Sequence, residues 1–325
     1  MPALAHVPVT RPSDLPVRRD VVSRTLKGRY EMIRLLGRGG MGAVYLARDR
    51  VLQRHVAIKI VEAGAGAPLS LVAGRFLVEA RAAARLQHPN IVPIFDFGDG
   101  QDAPPHLVMA YVHGESLAGR LLRDVRLSVA QAAGILADIA EGLDYAHRRG
   151  VIHRDVKPEN ILLDAESGRA VLTDFGVAGI LSPDRRLPDG QPALGTPLFT
   201  APEQMWGDPH ADWRCDLYAL GVVGFAMLAG RPPFTGASVQ AVMVQHATAA
   251  PPPLRSVRPD APHELAALID RCLAKEPLRR AAAHATIHDT MDVPGLRSIA
   301  SGGGRLSLRA RVRRWFGARS GSTGR

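Results

Sequence analysis

His153-Arg154-Asp155-Val156-Lys157-Pro158-Glu159-Asn160, with Asp174-Phe175-Gly176 shortly after it, decides how this chain is read. The stretch puts the carboxylates of Asp155 and Asp174, the amide of Asn160 and the ammonium of Lys157 close together in sequence. In-line transfer of a phosphoryl group needs a carboxylate to orient the attacking hydroxyl, an amide and a second carboxylate to hold Mg²⁺, and a cation against the charge in transit. Asp155, Asn160, Asp174 and Lys157 answer those needs in turn. His153 reads as a packing residue rather than a base or ligand.

Working outward, the chain has 325 residues, 46% hydrophobic and 22% charged, which suits a globular protein with more than one packed unit. The longest apolar run, about residues 218–229, is too short to cross a bilayer and carries glycines, so it predicts a buried helix. Residues 1–14 lack the unbroken apolar stretch of a secretory signal, and a cytoplasmic location is expected. Cys215 and Cys272 stand far apart with no Cys or His partner at ligand spacing, which argues against a disulfide framework and a zinc site. The net charge of +10 is carried by arginine, since Lys27, Lys59, Lys157 and Lys275 are the only lysines. Lys59 and Lys157 stand where a compact, flexible ammonium suits phosphate.

Residues 1–27 carry scattered Pro, Arg and Ser without periodicity and read as a disordered leader. Strand-like runs at residues 30–36, 42–47 and 55–61 precede an Ala-rich helix over about 71–86, ended by His88-Pro89-Asn90. A further strand at the edge of this lobe is expected over 106–112. Helical patterns follow at 117–123, 128–149, 211–229, 238–248 and 263–274, with a Pro-rich connector over 249–262. This is an α+β fold of two lobes: a small β-rich one over about residues 28–112 and a larger helical one over about 113–285. A basic tail rich in Arg, Gly and Ser occupies 286–325.

Gly37-Arg38-Gly39-Gly40-Met41-Gly42-Ala43-Val44 has the spacing of a loop whose bare backbone lets N–H groups approach phosphate oxygens. The same spacing fits a dinucleotide-binding turn, with Glu62 placed about 20 residues on as a ribose-binding acid. Two observations decide against that fold. Its first strand is buried on both faces, whereas residues 30–36 include Glu31 and Arg34, and it has no place for the downstream catalytic set. Val56-Ala57-Ile58-Lys59 matches a strand motif in which lysine reaches the α- and β-phosphates; the plain alternative is a surface lysine on an edge strand.

With these motifs, His88-Pro89-Asn90-Ile91-Val92 and Ala201-Pro202-Glu203-Gln204, the chain from about Tyr30 to Arg280 resembles the eukaryotic-like protein kinases, and it is most similar to the bacterial serine/threonine members. The resemblance implies transfer of the ATP γ-phosphoryl group to Ser or Thr hydroxyls of protein substrates, with Mg²⁺ or Mn²⁺ and no specific nucleic acid partner. It implies Asp155, Lys157 and Lys59 as catalytic, Asn160 and Asp174 as metal ligands, and Glu79 as the ion-pair partner of Lys59. ATP would meet Leu36, Gly37, Arg38, Gly39, Gly40, Met41, Gly42, Ala43, Val44, Ala57, Lys59 and Leu162. Met109, Ala110 and Val112 would form the adenine hinge, Ala110 standing where relatives usually carry Glu. Glu203 and Arg280 are implied as a buried ion pair, and Asp216 as an anchor for the catalytic-loop backbone. One departure concerns residues 175–194, where Ser182 is the only hydroxyl although relatives usually carry a threonine pair. Arg154 thus lacks an evident phosphate partner there, and Thr196 reads as structural. The alternative from another class is a pseudokinase, a nucleotide-binding or scaffolding module.

In the tail, Arg305, Arg309, Arg311, Arg313 and Arg314 interleave with Leu306, Leu308, Val312, Trp315 and Phe316, and no acidic residue follows Asp292. On a helix Leu308, Val312 and Trp315 would share one face, which suits an anionic membrane surface, each nearby arginine adding about 1 kcal/mol; the alternatives are a disordered tail that keeps the protein soluble, and nucleic-acid or acidic-protein binding through the same charges. The chain truncated before Arg305 is therefore expected to co-sediment less with anionic liposomes than the full chain, most clearly at low salt. Equal sedimentation would remove the membrane expectation.

Overall fold

The computed structural model describes residues 28–39, 42–61, 80–98, 104–175 and 197–280. The leader, Gly40, Met41, Glu79, Ser182, Thr196 and the basic tail lie outside the described residues. Two units divide the chain: Met1–Ala80 with Ile94–Tyr111, and Arg81–Pro93 with Val112–Arg325.

In the first unit, β1 (Tyr30–Gly39), β2 (Gly42–Asp49), β3 (Arg54–Val61), β4 (Ile94–Gly98) and β5 (His106–Ala110) form one antiparallel sheet in the order β1-β2-β3-β5-β4. Strand side chains alternate between faces. One face supplies Ala43, Tyr45 and Ala47 from β2, Val56, Ile58 and Ile60 from β3, and Val108 from β5 to a core closed by Tyr30. Each such Val or Ile contributes roughly 1.5–3 kcal/mol by leaving water. Asp49 fixes the β2–β3 turn, its Oδ1 accepting the N–H groups of Val51 (3.0 Å) and Leu52 (3.1 Å). Two expectations need correction. The strand over 106–112 stops at Ala110 and lies inside the sheet between β3 and β4, and the edge belongs to β4, which the sequence reading missed. As an edge strand β4 leaves Phe95 and Asp96 exposed, so it shows neither alternation nor an apolar run.

The second unit carries a three-stranded sheet, β6 (Gly114–Ser116), β7 (Ile161–Asp164) and β8 (Ala170–Leu172). Its helices are α1 (Leu117–Asp124), α2 (Val129–His147), α3 (Pro202–Met205), α4 (Arg214–Ala229), α5 (Val239–Thr248), α6 (Leu254–Val257) and α7 (His263–Cys272). The connector expected over 249–262 therefore contains a helical turn, α6. Ser128 starts α2 through a reciprocal cap, its Oγ accepting Gln131 N–H and its own N–H donating to Gln131 Oε1. The sequence reading left residues 81–93 in the β-rich lobe. Their backbone bonds place them here, because Leu172 N–H donates to Asn90 O and Val92 N–H to Leu172 O, both at 2.8 Å.

Helix α4 is apolar all round and almost wholly buried, as the run over 218–229 predicts. A Cβ on Gly221 would stand 2.6 Å from Cys272 Cβ, so glycine there lets α7 approach. Arg280, fully buried, pairs in fork geometry with Glu203 (2.6 and 2.9 Å) and donates further to the carbonyls of Ala274, Lys275 and Arg214. Among the described residues no helix is long and apolar enough to cross a membrane.

Beside this pair, Tyr218 Oη lies 2.9 Å from His246 Nδ1, and Lys275 Nζ donates to Tyr218 Oη and His246 O. Burial, reinforced by the charge of Lys275, holds His246 down at about 4. The fold thus favours the neutral ring. Its contribution is complete above the unfolded value near 6.5 and is lost as pH falls from there towards 4, by about 3 kcal/mol at most. Urea unfolding at pH 7 and pH 4.5 is expected to show a smaller pH-dependent loss for His246→Gln than for the wild type. Equal losses would exclude His246 as a source of the acid sensitivity.

Candidate active site

The strand alternation that builds the core of the first unit also builds a second face. Val44, Ala57, Lys59 and Met109 occupy positions alternate to the core residues, and the register sets Val44 opposite Lys59 and Ala57 opposite Met109. Lys59 is only 6% exposed and lies on an interior strand, which excludes the surface lysine on an edge strand. The methyl group of Ala43 belongs to the opposite core, which leaves its backbone as the part that could meet a nucleotide. Ala110 is half-buried at the end of β5.

The glycine-rich segment is the end of the β1–β2 hairpin, where Gly37 pairs with Val44, Arg38 with Ala43 and Gly39 with Gly42. Leu36 sits at a register shift and is exposed. Among the described residues, a Cβ built on Gly37 or Gly39 meets no atom within 4 Å, and neither residue has the left-handed backbone that favours glycine. Nothing in the described chain itself demands glycine there. An approaching ligand does, if its phosphates are to reach the backbone N–H groups.

In the second unit the catalytic loop joins α2 to β7. Asp216, in the first turn of α4 and 1% exposed, accepts His153 N–H (2.8 Å), Arg154 N–H (2.7 Å) and His147 Nε2–H (2.7 Å). Burial alone would raise the Asp216 carboxyl, but the His147 bond, the nearby His147 and His153, and the His153 N–H hold it below its usual value. Gln204 adds a bond from Nε2 to Arg154 O (3.1 Å). His153 uses both ring nitrogens, Nε2–H donating to Thr173 O (2.9 Å) and Nδ1 accepting Asp155 N–H (3.3 Å), and its ring packs on Phe175. That leaves neither nitrogen for acid–base work.

Asp155 is gripped on one oxygen. Lys157 Nζ lies 2.7 Å and Asn160 Nδ2 2.9 Å from Asp155 Oδ2, and Asn160 Nδ2 also reaches Asp155 O at 2.8 Å. Oδ1 is thereby left to face an incoming hydroxyl, and Asn160 turns its own Oδ1 away from Asp155. Thr173 N–H donates to Asn160 O (3.0 Å), so Thr173 is tied to the loop through both peptide groups and Asp174 follows directly. Arg154 (φ 64°) and Asp174 (φ 63°) are both left-handed, a strained geometry for non-glycine residues at the centre of the site. Leu162 and Val112 are half-buried in this unit. The structure thus brings Asp155, Lys157 and Asn160 into contact, with Asp174 tied alongside. Sequence reasoning missed His147 and Gln204 as supports, for which only Gln204 had a local signal, its place directly after Ala201-Pro202-Glu203.

Asp174, Asp155 and the Asn160 amide offer hard oxygen donors. Among the described residues no three His, Cys, Asp or Glu side chains could hold a metal alone, so a cation here would draw on water and phosphate oxygens, as Mg²⁺ does. The donor set fits that ion.

One unit is a lysine-bearing antiparallel sheet with a glycine-rich hairpin, the other a helical unit presenting this carboxylate, ammonium and amide, and each has the features of a protein kinase domain. The pattern of the protein kinase domain family matches residues 30–291, and the chain belongs to that family. It is 36% identical over 260 residues to the serine/threonine-protein kinase PrkC of Bacillus subtilis, covering 80% of this chain and 39% of that protein. It is 38% identical over 263 residues to the serine/threonine-protein kinase PknA of Mycobacterium tuberculosis, covering 80% and 59%. The chain therefore spans about two to three fifths of these relatives' lengths. The solved kinase domain of Mycobacterium tuberculosis PknI superposes with a TM-score of 0.61 at 30% identity, covering 81% of this chain and 95% of that one.

Gly37→Ala and Gly39→Ala are expected to leave the unfolding free energy within about 1 kcal/mol of the wild type, while weakening ATP binding several-fold. Calorimetry with and without nucleotide checks both. A fall in stability matching the fall in affinity would mean that the glycines serve the fold.

Proposed function

We propose that this chain is a serine/threonine protein kinase, transferring the γ-phosphoryl group of ATP to Ser or Thr hydroxyls of protein substrates. The observation that carries the reading is the grip of Lys157 and Asn160 on a single oxygen of Asp155. It orients the other oxygen as a base. Asp155 Oδ1 would accept the acceptor's hydroxyl proton as the hydroxyl oxygen bonds to the γ-phosphorus and the bond to the β-phosphate oxygen breaks, releasing ADP. Lys157, bonded to the base, would neutralise the γ-phosphate oxygens, and Lys59 would hold the α- and β-phosphates. Asn160 and Asp174 would hold Mg²⁺, which when bound neutralises phosphate charge and fixes the phosphate chain. Met109, Ala110 and Val112 would meet adenine.

Every catalytic position is filled, which favours an enzyme over a nucleotide-binding module. A radiolabel transfer assay on a generic protein acceptor separates the two. Asp155→Asn, which keeps the size and removes the base, is expected to lower turnover about 10²-fold or more with little change in ATP affinity. Wild-type turnover in that variant, or nucleotide binding without transfer by the wild type, would overturn the reading.

A further inference from the structure

Two buried polar side chains that phosphoryl transfer does not use grip one residue of β8. Asn90, wholly buried, donates from Nδ2 to Ala170 O at 2.8 Å, and Asp138 on α2 accepts Ala170 N–H through Oδ2 at 2.9 Å. The backbone of the same loop adds the Asn90 and Val92 bonds to Leu172. Asp138 and Gly142 are one helical turn apart and share a face of α2. A Cβ on Gly142 would stand 3.1 Å from Asn90 O, so the missing side chain lets the loop lie between helix and strand. Burying an amide and a carboxylate is unfavourable unless they are bonded; here the Asn90 Nδ2–H and the Asp138 carboxylate each bond the backbone of a strand only three residues long, while Asn90 Oδ1 is buried without a hydrogen-bond partner among the described residues. Thr173 and then Asp174 follow that strand.

We propose that Asn90, Asp138 and Gly142 are positioning residues for Asp174, and that through it they set how tightly the site holds a divalent cation. The inference rests on the kinase reading for the role of Asp174. The two residues before Asp155 have a further anchor of their own, Asp216, so although Thr173 links the two supports, loosening β8 weakens the cation site more than it disturbs the base. The effect is one of metal affinity, which a general loss of stability would not reproduce.

Mn²⁺ titration by electron paramagnetic resonance on the full chain with ADP, beside transfer rates at rising Mg²⁺, tests this. Asn90→Ala and Asp138→Leu are expected to weaken Mn²⁺ binding about tenfold and to keep kcat at saturating Mg²⁺ within about twofold of the wild type. Asp138→Asn, which retains an acceptor for Ala170 N–H, should stay near the wild type. Gly142→Ala pushes Asn90 by only a few tenths of an ångström and should fall between, and it decides the matter if Asn90→Ala fails to fold. Unchanged Mn²⁺ affinity in a folded Gly142→Ala or Asn90→Ala chain overturns the inference, as does a kcat loss that saturating Mg²⁺ does not restore. The Mn²⁺ titration reads this inference even in a chain that transfers no phosphate, so its failure and that of the kinase reading are told apart.

Discussion

The site depends on one buried carboxylate. Asp216 sits near the start of a helix buried from Cys215 to Leu228, and three N–H donors converge on its two oxygens. Without those bonds its burial would be costly; with them, each charge-assisted bond contributes roughly 1.5–3 kcal/mol. Taken together the three bonds outweigh the roughly 1–3 kcal/mol of backbone strain at Arg154, so the left-handed turn persists. The turn in turn sets the direction in which Asp155 leaves the loop.

A division of labour follows. The carboxylate that would take a proton is fixed from α4, and the one that would hold a cation follows β8, fixed from α2 and the loop of residues 88–92. Thr173 links the two supports, bonding to both His153 and Asn160. In the first unit the same economy appears in the strand alternation, where one set of residues fills the core and the alternate set carries Lys59.

Much of this was legible because the chemistry is local. Asp155, Lys157 and Asn160 must stand within a few residues of each other, so type and spacing reveal them without knowledge of the fold. The helices were legible through their helical patterns, such as that over residues 128–149, and α4 through the apolar run of residues 218–229. Supports whose partners lie far along the chain left no such trace. His147 is 69 residues from Asp216, and Gln204 is 50 from Arg154, and neither distance has a periodic signature. Strands β6 and β8, with three residues each, are too short for alternation to register, and β4 hides as an exposed edge. Ala43 was read from a motif that describes a backbone, and the motif says nothing of its side chain, which obeys the pleat.

The assignment of residues 81–93 to the helical unit bears on how the chain is made. Synthesis runs from the N-terminus, so this segment leaves the ribosome before β5 exists to complete the first sheet, and long before β8, its own partner, is translated. During that interval Asn90 has no strand to bond. The β-rich unit is thus made from two pieces of chain with a segment of the helical unit between them in sequence, and the helical unit cannot finish until its own later strands join that upstream segment.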